Sequence, residues 1–529
     1  MYNTVENYCM IGMLTYKNTK HVASRGFYKL YGLLVAPILS ACGGGSLSST
    51  ANKLSPLDTH VARSETYFAN FEIAPLEKSN WVSALQMDQM SVVTDLLEEH
   101  DRVVSYHFMR EAPSYELTNA IQKVQPATPA MQMAATEIFD KLSALLDVSF
   151  QQTDDPLKNN VISIGASLQP DTAGQGFFPN SYYFVGSDVF LANDYCNPFI
   201  TANGFTNYDY EVLLHEIGHA LGLKHTFAAD EKNEATLNYA EDTTKWTAMS
   251  YTEVPRTFDG EFRPYDIMAL SEYYGISNRH NPGDDIYSFN SSEGVIIADG
   301  GGLDTIDYST ARANSYLDLR AGAESYLGAK ADLIILPNQL AIAYSVVIEH
   351  VIAGEGDDTI IGNEAANIIS TNGGDDRILA GEGADRVSAG SGSNVIDLAE
   401  TTVARDTVIF DPKSLQLGYS TIFGFQQHGA SPDVLEFSNV PFTLADDQIE
   451  NIIFSAAAVG TKLATNKVGL ALKFNSDFIL ISSEASELGS PQELFHAKGS
   501  GVNFEINHFA TLYGANLDLD FWEPDLHIA

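Results

Sequence analysis

From Ala353 the chain can be written in nines: AGEGDDTII, GNEAANIIS, TNGGDDRIL, AGEGADRVS, AGSGSNVID. The sixth place is Asp358, Asn367, Asp376, Asp385 and Asn394, and the eighth is Ile360, Ile369, Ile378, Val387 and Ile396. The units hold register without an insertion. A low-complexity Gly/Asp loop would not keep one large apolar residue at a fixed place in every unit. Each unit therefore reads as a Gly-rich turn followed by a short strand whose apolar residue points inward.

The period matches the nonapeptide GGxGxDxUx and so resembles the repeats of RTX parallel β-rolls, where U is a large apolar residue. That resemblance implies several structural calcium ions held between turns. Calcium is a hard cation that takes oxygen ligands, and the turns offer Gly354, Gly356 and Asp358, then Asn372, Gly374 and Asp376, then Gly381, Gly383 and Asp385. Stacked carboxylates without the ion repel one another. The second unit has Ala365 in place of its third glycine, so its half-site is expected to be weak or empty.

The chain has 529 residues, of which 45% are hydrophobic, enough for several domains with sizeable cores. Lys+Arg is 29 against Asp+Glu 69, a formal net charge of −40. That balance argues against nucleic acid as a partner and against docking on anionic lipid. It suits a soluble exported protein or one that binds cations, and a monomer is expected. Three cysteines, Cys9, Cys42 and Cys196, give no disulfide framework. Near the N-terminus Lys17, Lys20, Arg25 and Lys29 precede the short apolar run LYGLLVAPIL and then LSAC, which reads as a signal peptide. LSAC resembles the lipobox of bacterial lipoproteins, which would make Cys42 a lipidated terminus. An ordinary signal peptide with a chance cysteine is the alternative.

The expected organisation is multidomain. Residues 1–42 form the signal and 43–98 a tether or prosegment. Residues 99–275 form an α/β domain, 276–400 the β-roll and 401–529 a β-rich C-terminal region. Within the α/β part, VVSYHF (103–108), VISIGA (161–166) and DVFLAN (188–193) read as strands. PAMQMAATEIFDKLSALLDVSF (129–150), YEVLLHEIGHALGL (210–223) and PYDIMALSEYYG (264–275) read as helices, the last begun by Pro264 and Asp266 and ended by Gly275. Past residue 400, TVIFD, TIFGF and VLEFS read as strands.

Residues 215–225 read HEIGHALGLKH. On a helix His215 and His219 are four apart and share a face, so both can present a nitrogen to one Zn²⁺. Glu216 lies one step round, placed to hold a metal-bound water as general base. HExxH alone is a weak pattern. Gly222 lets the chain leave the helix and bring His225 to the same ion. Three neutral imidazoles leave a fourth position open, as a catalytic zinc requires.

TAMSY (247–251) supplies a Met-turn downstream, and here the sequence resembles the metzincin metalloproteases and, among them, the serralysins. YAEDTTKWTAMSY, RPYDIMALSEYYG, GDDIYSFN and GGLDTIDYS resemble successive serralysin segments, so the resemblance covers roughly 100–425. It implies one catalytic zinc on His215, His219 and His225, with Glu216 as base and Met249 as the floor beneath the metal. Tyr251 would ligate the zinc at rest and hydrogen-bond the tetrahedral intermediate. It also implies DVFLAN as the edge strand along which a peptide pairs, and calcium near Asp304 and Asp307. Thr226 stands where serralysins usually have Pro, residues 226–238 look different, and Leu303 stands where Asn is common. The function implied is a zinc endopeptidase acting on extracellular proteins or peptides. Two rivals stay open: a non-catalytic RTX adhesin that keeps a protease-like domain, and a protease acting mainly on its own N-terminal region.

Overall fold

The computed structural model describes residues 75–87, 97, 101–110, 122–156, 160–169, 172–179, 187–192, 205–229, 232–254, 260–411, 418–425, 431 and 433–437, and beyond these the backbone of six C-terminal strands. The signal segment, the lipobox at Cys42, Cys9 and Cys196 lie outside the described residues, as does most of 43–98. No helix among the described residues is long and apolar enough to cross a membrane.

The first part of the chain alternates strand and helix: α1 (Asn80–Ser83), β1 (Val103–Phe108), β2 (Gln122–Pro126), α2 (Pro129–Leu145), β3 (Ser149–Gln152), β4 (Val161–Leu168), β5 (Gly174–Gly176), β6 (Val189–Ala192), α3 (Asn207–Ala220) and α4 (Pro264–Tyr274). The strands form one mixed sheet in the order β3-β1-β4-β6-β5, with β2 also on β4. β3, β1, β4 and β6 run parallel, whereas β5 is antiparallel to β6. β1 and β4 are buried along almost their whole length, the continuous apolar reading of strands covered on both faces. α2 starts where Thr128 caps the amide of Met131 and Pro129 takes the first helical place. It buries Ala134, Ala135, Ile138, Phe139 and Leu142 on one stripe. Burying side chains the size of Ile, Leu and Phe contributes about 1.5–3 kcal/mol each. The helical reading of 129–150 runs too far: Leu146 is extended, and Ser149–Gln152 leaves to pair with β1. The ladder partners offered by β1 outweigh further helical turns.

From residue 286 the chain is a roll whose strands pair in parallel except at Glu324–Leu327, which is antiparallel to both neighbours. β7 (Ile286–Tyr287), β8 (Val295–Ile297), β9 (Thr305–Asp307), β10 (Ser315–Asp318), β11 (Glu324–Leu327), β12 (Gln339–Ile342) and β13 (His350–Ile352) lead in, followed by β14 (Thr359–Ile361), β15 (Ile368–Ser370), β16 (Arg377–Leu379), β17 (Arg386–Ser388), β18 (Gly392–Asp397), β19 (Thr407–Phe410), β20 (Gly418–Phe423) and β21 (Val434–Phe437). From β13 onward alternate strands belong to opposite sheets. Nine residues carry the chain to the other sheet, and eighteen return it one rung on: Ile360 pairs with Ile378, and Ile369 with Val387. The eighth-place residues Ile360, Ile369, Ile378, Val387 and Ile396 are all buried between the sheets, as the spacing requires. Cutting one back to Ala would cost about 2–5 kcal/mol. An antiparallel meander over Leu444–Ile453, Val468–Phe474, Asp477–Ser483, Gln492–Ser500 and Asn503–Leu512 joins the first sheet at β20, and Leu526–Ile528 adds to β21.

Candidate metal and catalytic centre

α3 is fixed at its start by a capping box, in which Thr206 accepts from the amide of Asp209 and Asp209 accepts from the amide of Thr206. Leu213, Leu214, Ile217 and Ala220 bury its inner stripe. His215, Glu216 and His219 are buried on α3 as well. Past the helix Gly222 takes φ +99°, a left-handed conformation that other residues resist, and the chain doubles back. The three imidazoles then meet: Nε2 of His225 lies 3.1 Å from Nε2 of His215 and 3.1 Å from Nε2 of His219. Nitrogens around a tetrahedral zinc with bonds of about 2.0–2.1 Å would stand roughly 3.3 Å apart. Nδ1 of His215 is 2.7 Å from the carbonyl of Ala248, and Nδ1 of His219 is 2.7 Å from that of Leu223. A carbonyl only accepts, so each Nδ1 carries the proton and each Nε2 turns a lone pair to the common point. Burial pushes His215 down to about 4 and His225 down to about 3, and pushes His219 well below the ordinary imidazole range. All three rings are neutral at neutral pH, as ligands must be.

Glu216 sits beside this point. Burial pushes its carboxyl up to about 8, against the opposing effect of a hydrogen bond from the Gly176 amide. That bond comes from β5, the outermost strand on this side of the sheet, which runs against α3. A Cβ at Gly176 would stand 2.3 Å from the Glu216 carbonyl oxygen, so only glycine lets the strand approach. The strand read as the edge, DVFLAN, is instead interior: β6 pairs with β4 on one side and β5 on the other. β5 was illegible because its three residues, GQG, carry no apolar pattern.

The Met-turn is held from α4. Asp266 Oδ2 accepts from the amides of Ala248 and Arg263, and Oδ1 from the Thr247 hydroxyl. Asp266 thus orients the peptide whose carbonyl holds His215. The sequence showed it only as a helix-start residue. Met249 is fully buried, its sulfur against Gly218 of α3. The Tyr251 hydroxyl lies 2.9 Å from Nε2 of His225, and the ring is exposed. Phe227 stacks on His225 with centroids 5.1 Å apart and packs on Tyr251 at 4.9 Å. Phe178, just after β5, meets the edge of His219 at 5.6 Å. Both phenylalanines are partly exposed.

The aspartates of the roll form two ladders. In one, Oδ1 of Asp358 accepts from the Ser315 amide, Oδ1 of Asp376 from the Asp358 amide, and Oδ1 of Asn394 from the Asp376 amide. In the other, Asp385 caps Asn367, Asp406 caps Asp385 and Asp433 caps Asp406. The second oxygens of Asp358, Asp376 and Asp385 are buried without a hydrogen-bond partner among the described residues. A buried carboxylate oxygen with no donor fits a turn built for a cation. Burial pushes Asp376 and Asp385 up to about 8. The turn glycines Gly354, Gly356, Gly374, Gly381 and Gly383 pack against the backbone of the preceding rung, and Asn372 donates to the Ala353 carbonyl. At Asn367 the amide donates to the carbonyls of Ile348 and Glu349, so the turn whose third glycine is Ala365 satisfies itself.

Asp304 also has a buried unpartnered Oδ2. Its neighbours are Asp285 and Asp299: one oxygen from each of the three lies within 4.8 Å of the others. Asp307 is not in this group, because its Oδ1 turns back to the Ser309 amide. The exposed Leu303 contributes its backbone amide to Asp284. Asp285 and Asp299 were missed because their spacing to Asp304 has no period. Asp406 and Asp433 were missed because insertions of 3 and 9 residues stretch the 18-residue rung to 21 and 27.

Two buried histidines and a half-buried third converge beside a glutamate, and the chain that follows winds into a β-roll; the three rings form a group that could hold a metal ion. Residues 268–466 match the family described as peptidase M10 serralysin C terminal. The chain is 32% identical over 254 residues to a serralysin of Proteus mirabilis, covering 42% of this chain and 47% of that one. It is 31% identical over 253 residues to serralysin G of Dickeya chrysanthemi, covering 42% and 51%. To metallopeptidase AprA of Pseudomonas marginalis it is 33% identical over 217 residues, covering 35% and 44%. The alignments span about half the length of these relatives. Over these stretches the chain is similar to the serralysins, and residues 268–466 are similar to their C-terminal region.

Proposed function

We propose that the protein is an exported zinc endopeptidase with a calcium-bound β-roll, acting on proteins or peptides. In this reading the catalytic domain takes in residues 78–87 as well as 99–275, and the roll runs past residue 400 to β21. The observation that carries the reading is the meeting of three histidine Nε2 atoms, two of them 3.1 Å from the third, beside Glu216. His215, His219 and His225 would hold the ion. Zinc bound there supplies a Lewis acid that polarises a scissile carbonyl and acidifies water. Glu216 takes the proton of the attacking water and returns it to the leaving amine as the C–N bond breaks. The Tyr251 hydroxyl donates to the oxygen that gains charge. An extended peptide would pair with β5, and Phe178 and Phe227 would flank its scissile bond with apolar surface. Calcium would sit at the unpartnered oxygens of Asp304, Asp358, Asp376 and Asp385.

The test is hydrolysis of casein by calcium-loaded protein beside Glu216→Ala and a zinc-chelated sample. Loss of activity in both supports the reading. No hydrolysis by folded, zinc-loaded protein overturns it. Phe227→Ala should reduce kcat/KM for peptides with a large apolar residue at the scissile bond about 10–200-fold more than for peptides with a small one.

A further inference from the structure

The first two histidines of the centre are pinned through Nδ1, but among the described residues no such bond reaches Nδ1 of His225. Its position depends on the backbone that carries it, and that backbone is gripped by a segment from far earlier in the chain. The amide of Lys224 donates to the carbonyl of Leu85 at 2.7 Å, and the amide of Met87 to the carbonyl of Gly222 at 3.1 Å. These bonds make an antiparallel bridge between Gln86 and Leu223, immediately before His225. The loop after His225 is held by the same segment. Asn233 Nδ2 donates to the carbonyls of Ser83 and Gln86 at 2.8 and 2.7 Å, and Asn80 Nδ2 to that of Thr236 at 3.0 Å. The buried Lys224 closes the loop on itself, its ammonium donating to the carbonyls of Ala228 and Ala235.

The segment is anchored in turn. Trp81, Val82 and Leu85 are buried in the cluster that contains Leu213, Ile217, Leu223 and Met249. Gln86 Nε2 donates to Glu272 and to the Ala269 carbonyl on α4, and Lys78 pairs with Glu272 at 2.6 Å. Trp81 Nε1 donates to Glu324 on β11 of the roll at 2.7 Å. One short stretch therefore touches the third histidine's loop, α4 and the roll.

We propose that residues 78–87 are a built-in clasp that positions His225 as the third metal ligand, so that any N-terminal processing must cut before Lys78. The proposal rests on the zinc reading above. An ordered partner that fixes a ligand's orientation raises metal affinity without touching the metal. Asn233 and Gln86 are positioning residues here: the Asn233 side chain ties the loop to the backbone of the clasp, and the Gln86 side chain ties the clasp to α4.

The test uses the full calcium-loaded chain and Zn²⁺ alone, titrated against a chromogenic chelator, with Co²⁺ absorption as a second readout. Asn233→Ala and Gln86→Ala are expected to raise the zinc Kd about 10–100-fold, with His225→Ala marking the ceiling and Arg110→Ala unchanged. The Co²⁺ bands should shift in the same variants. A merely structural role would lower the melting temperature of the metal-free protein and leave the zinc Kd within twofold, and that result overturns the clasp. If Asn233→Ala does not fold, Asn80→Ala, which removes one exposed bond, should still weaken zinc several-fold; no change there also overturns it. Failure of the unaltered chain to bind one zinc overturns the zinc reading itself, and the clasp with it.

Discussion

On the reading proposed above the histidine centre and the aspartate turns would both receive a cation, yet burial acts on them in opposite ways. The imidazoles are neutral, their Nδ1 protons are bound to carbonyls at His215 and His219, and three lone pairs can share a point without charge repulsion. The turns set carboxyls side by side in a buried place, each with one oxygen bound and the other without a donor. Burial moves both sets toward the uncharged form, downward for the histidines and upward for the aspartates. For a histidine that is the form that binds metal. For an aspartate it is the form that does not. On that reading the first centre would be ready before its ion arrives, and the second would be completed by it.

The largest expected effect falls on activity alone. Glu216→Gln should lower kcat about 10²–10⁴-fold, with zinc content and melting temperature close to those of the parent, read by peptide hydrolysis, metal analysis and calorimetry. Loss of zinc in that variant would show that the carboxyl belongs to the ligand set.

Withdrawing the two ions separately should divide the molecule. Zinc removal should leave far-UV circular dichroism unchanged, whereas calcium removal at pH 8 should melt the roll. The pH dependence has a definite sign. In the folded calcium-free chain Asp376 and Asp385 keep their protons to about pH 8, while an unfolded chain releases them near pH 3.9. The unfolded state binds fewer protons between these limits, so this contribution to stability is complete below about pH 4 and is lost as pH rises to about 8. The calcium-free roll should therefore be better ordered at pH 5 than at pH 8, with the difference abolished by calcium. Equal order at both values would break the comparison.

Smaller effects come from single turns. Asp376→Asn should stabilise the calcium-free roll at pH 8 by about 1 kcal/mol, or ~2–4 °C, and weaken calcium binding. Asn367→Asp should do the reverse, because it removes the two donors to Ile348 and Glu349. It should lower the calcium-free melting temperature by a similar amount.

What could be read from the sequence follows how local each feature is. His215, Glu216, His219, Gly222 and His225 lie within one helix and one turn, so helical spacing and a glycine suffice to place them. The nonapeptide repeat is legible because its apolar residue returns at a fixed interval. The β5 edge, the grip of residues 78–87 and the grouping of Asp285 with Asp299 depend on contacts between distant stretches with no period. Asp406 and Asp433 keep the rung in space while losing it in sequence, since a loop can lengthen without disturbing the strand pairing on either side.

The ladders of the roll have a direction in time. In the two buried ladders every cap comes from later in the chain: Asp358 reaches back 43 residues to Ser315, Asp376 reaches back 18 to Asp358, and Asp433 reaches back 27 to Asp406, whereas the exposed amides of Asp357, Asp375 and Ser393 are capped from earlier in the chain by Asn314, Asp357 and Asp375. A chain that leaves a ribosome or crosses an export channel from its N-terminus delivers each amide before the side chain that will satisfy it. In those buried ladders each rung waits for its successor, so their order settles backward from the end that arrives last. Trimming that end should loosen rungs that themselves remain intact.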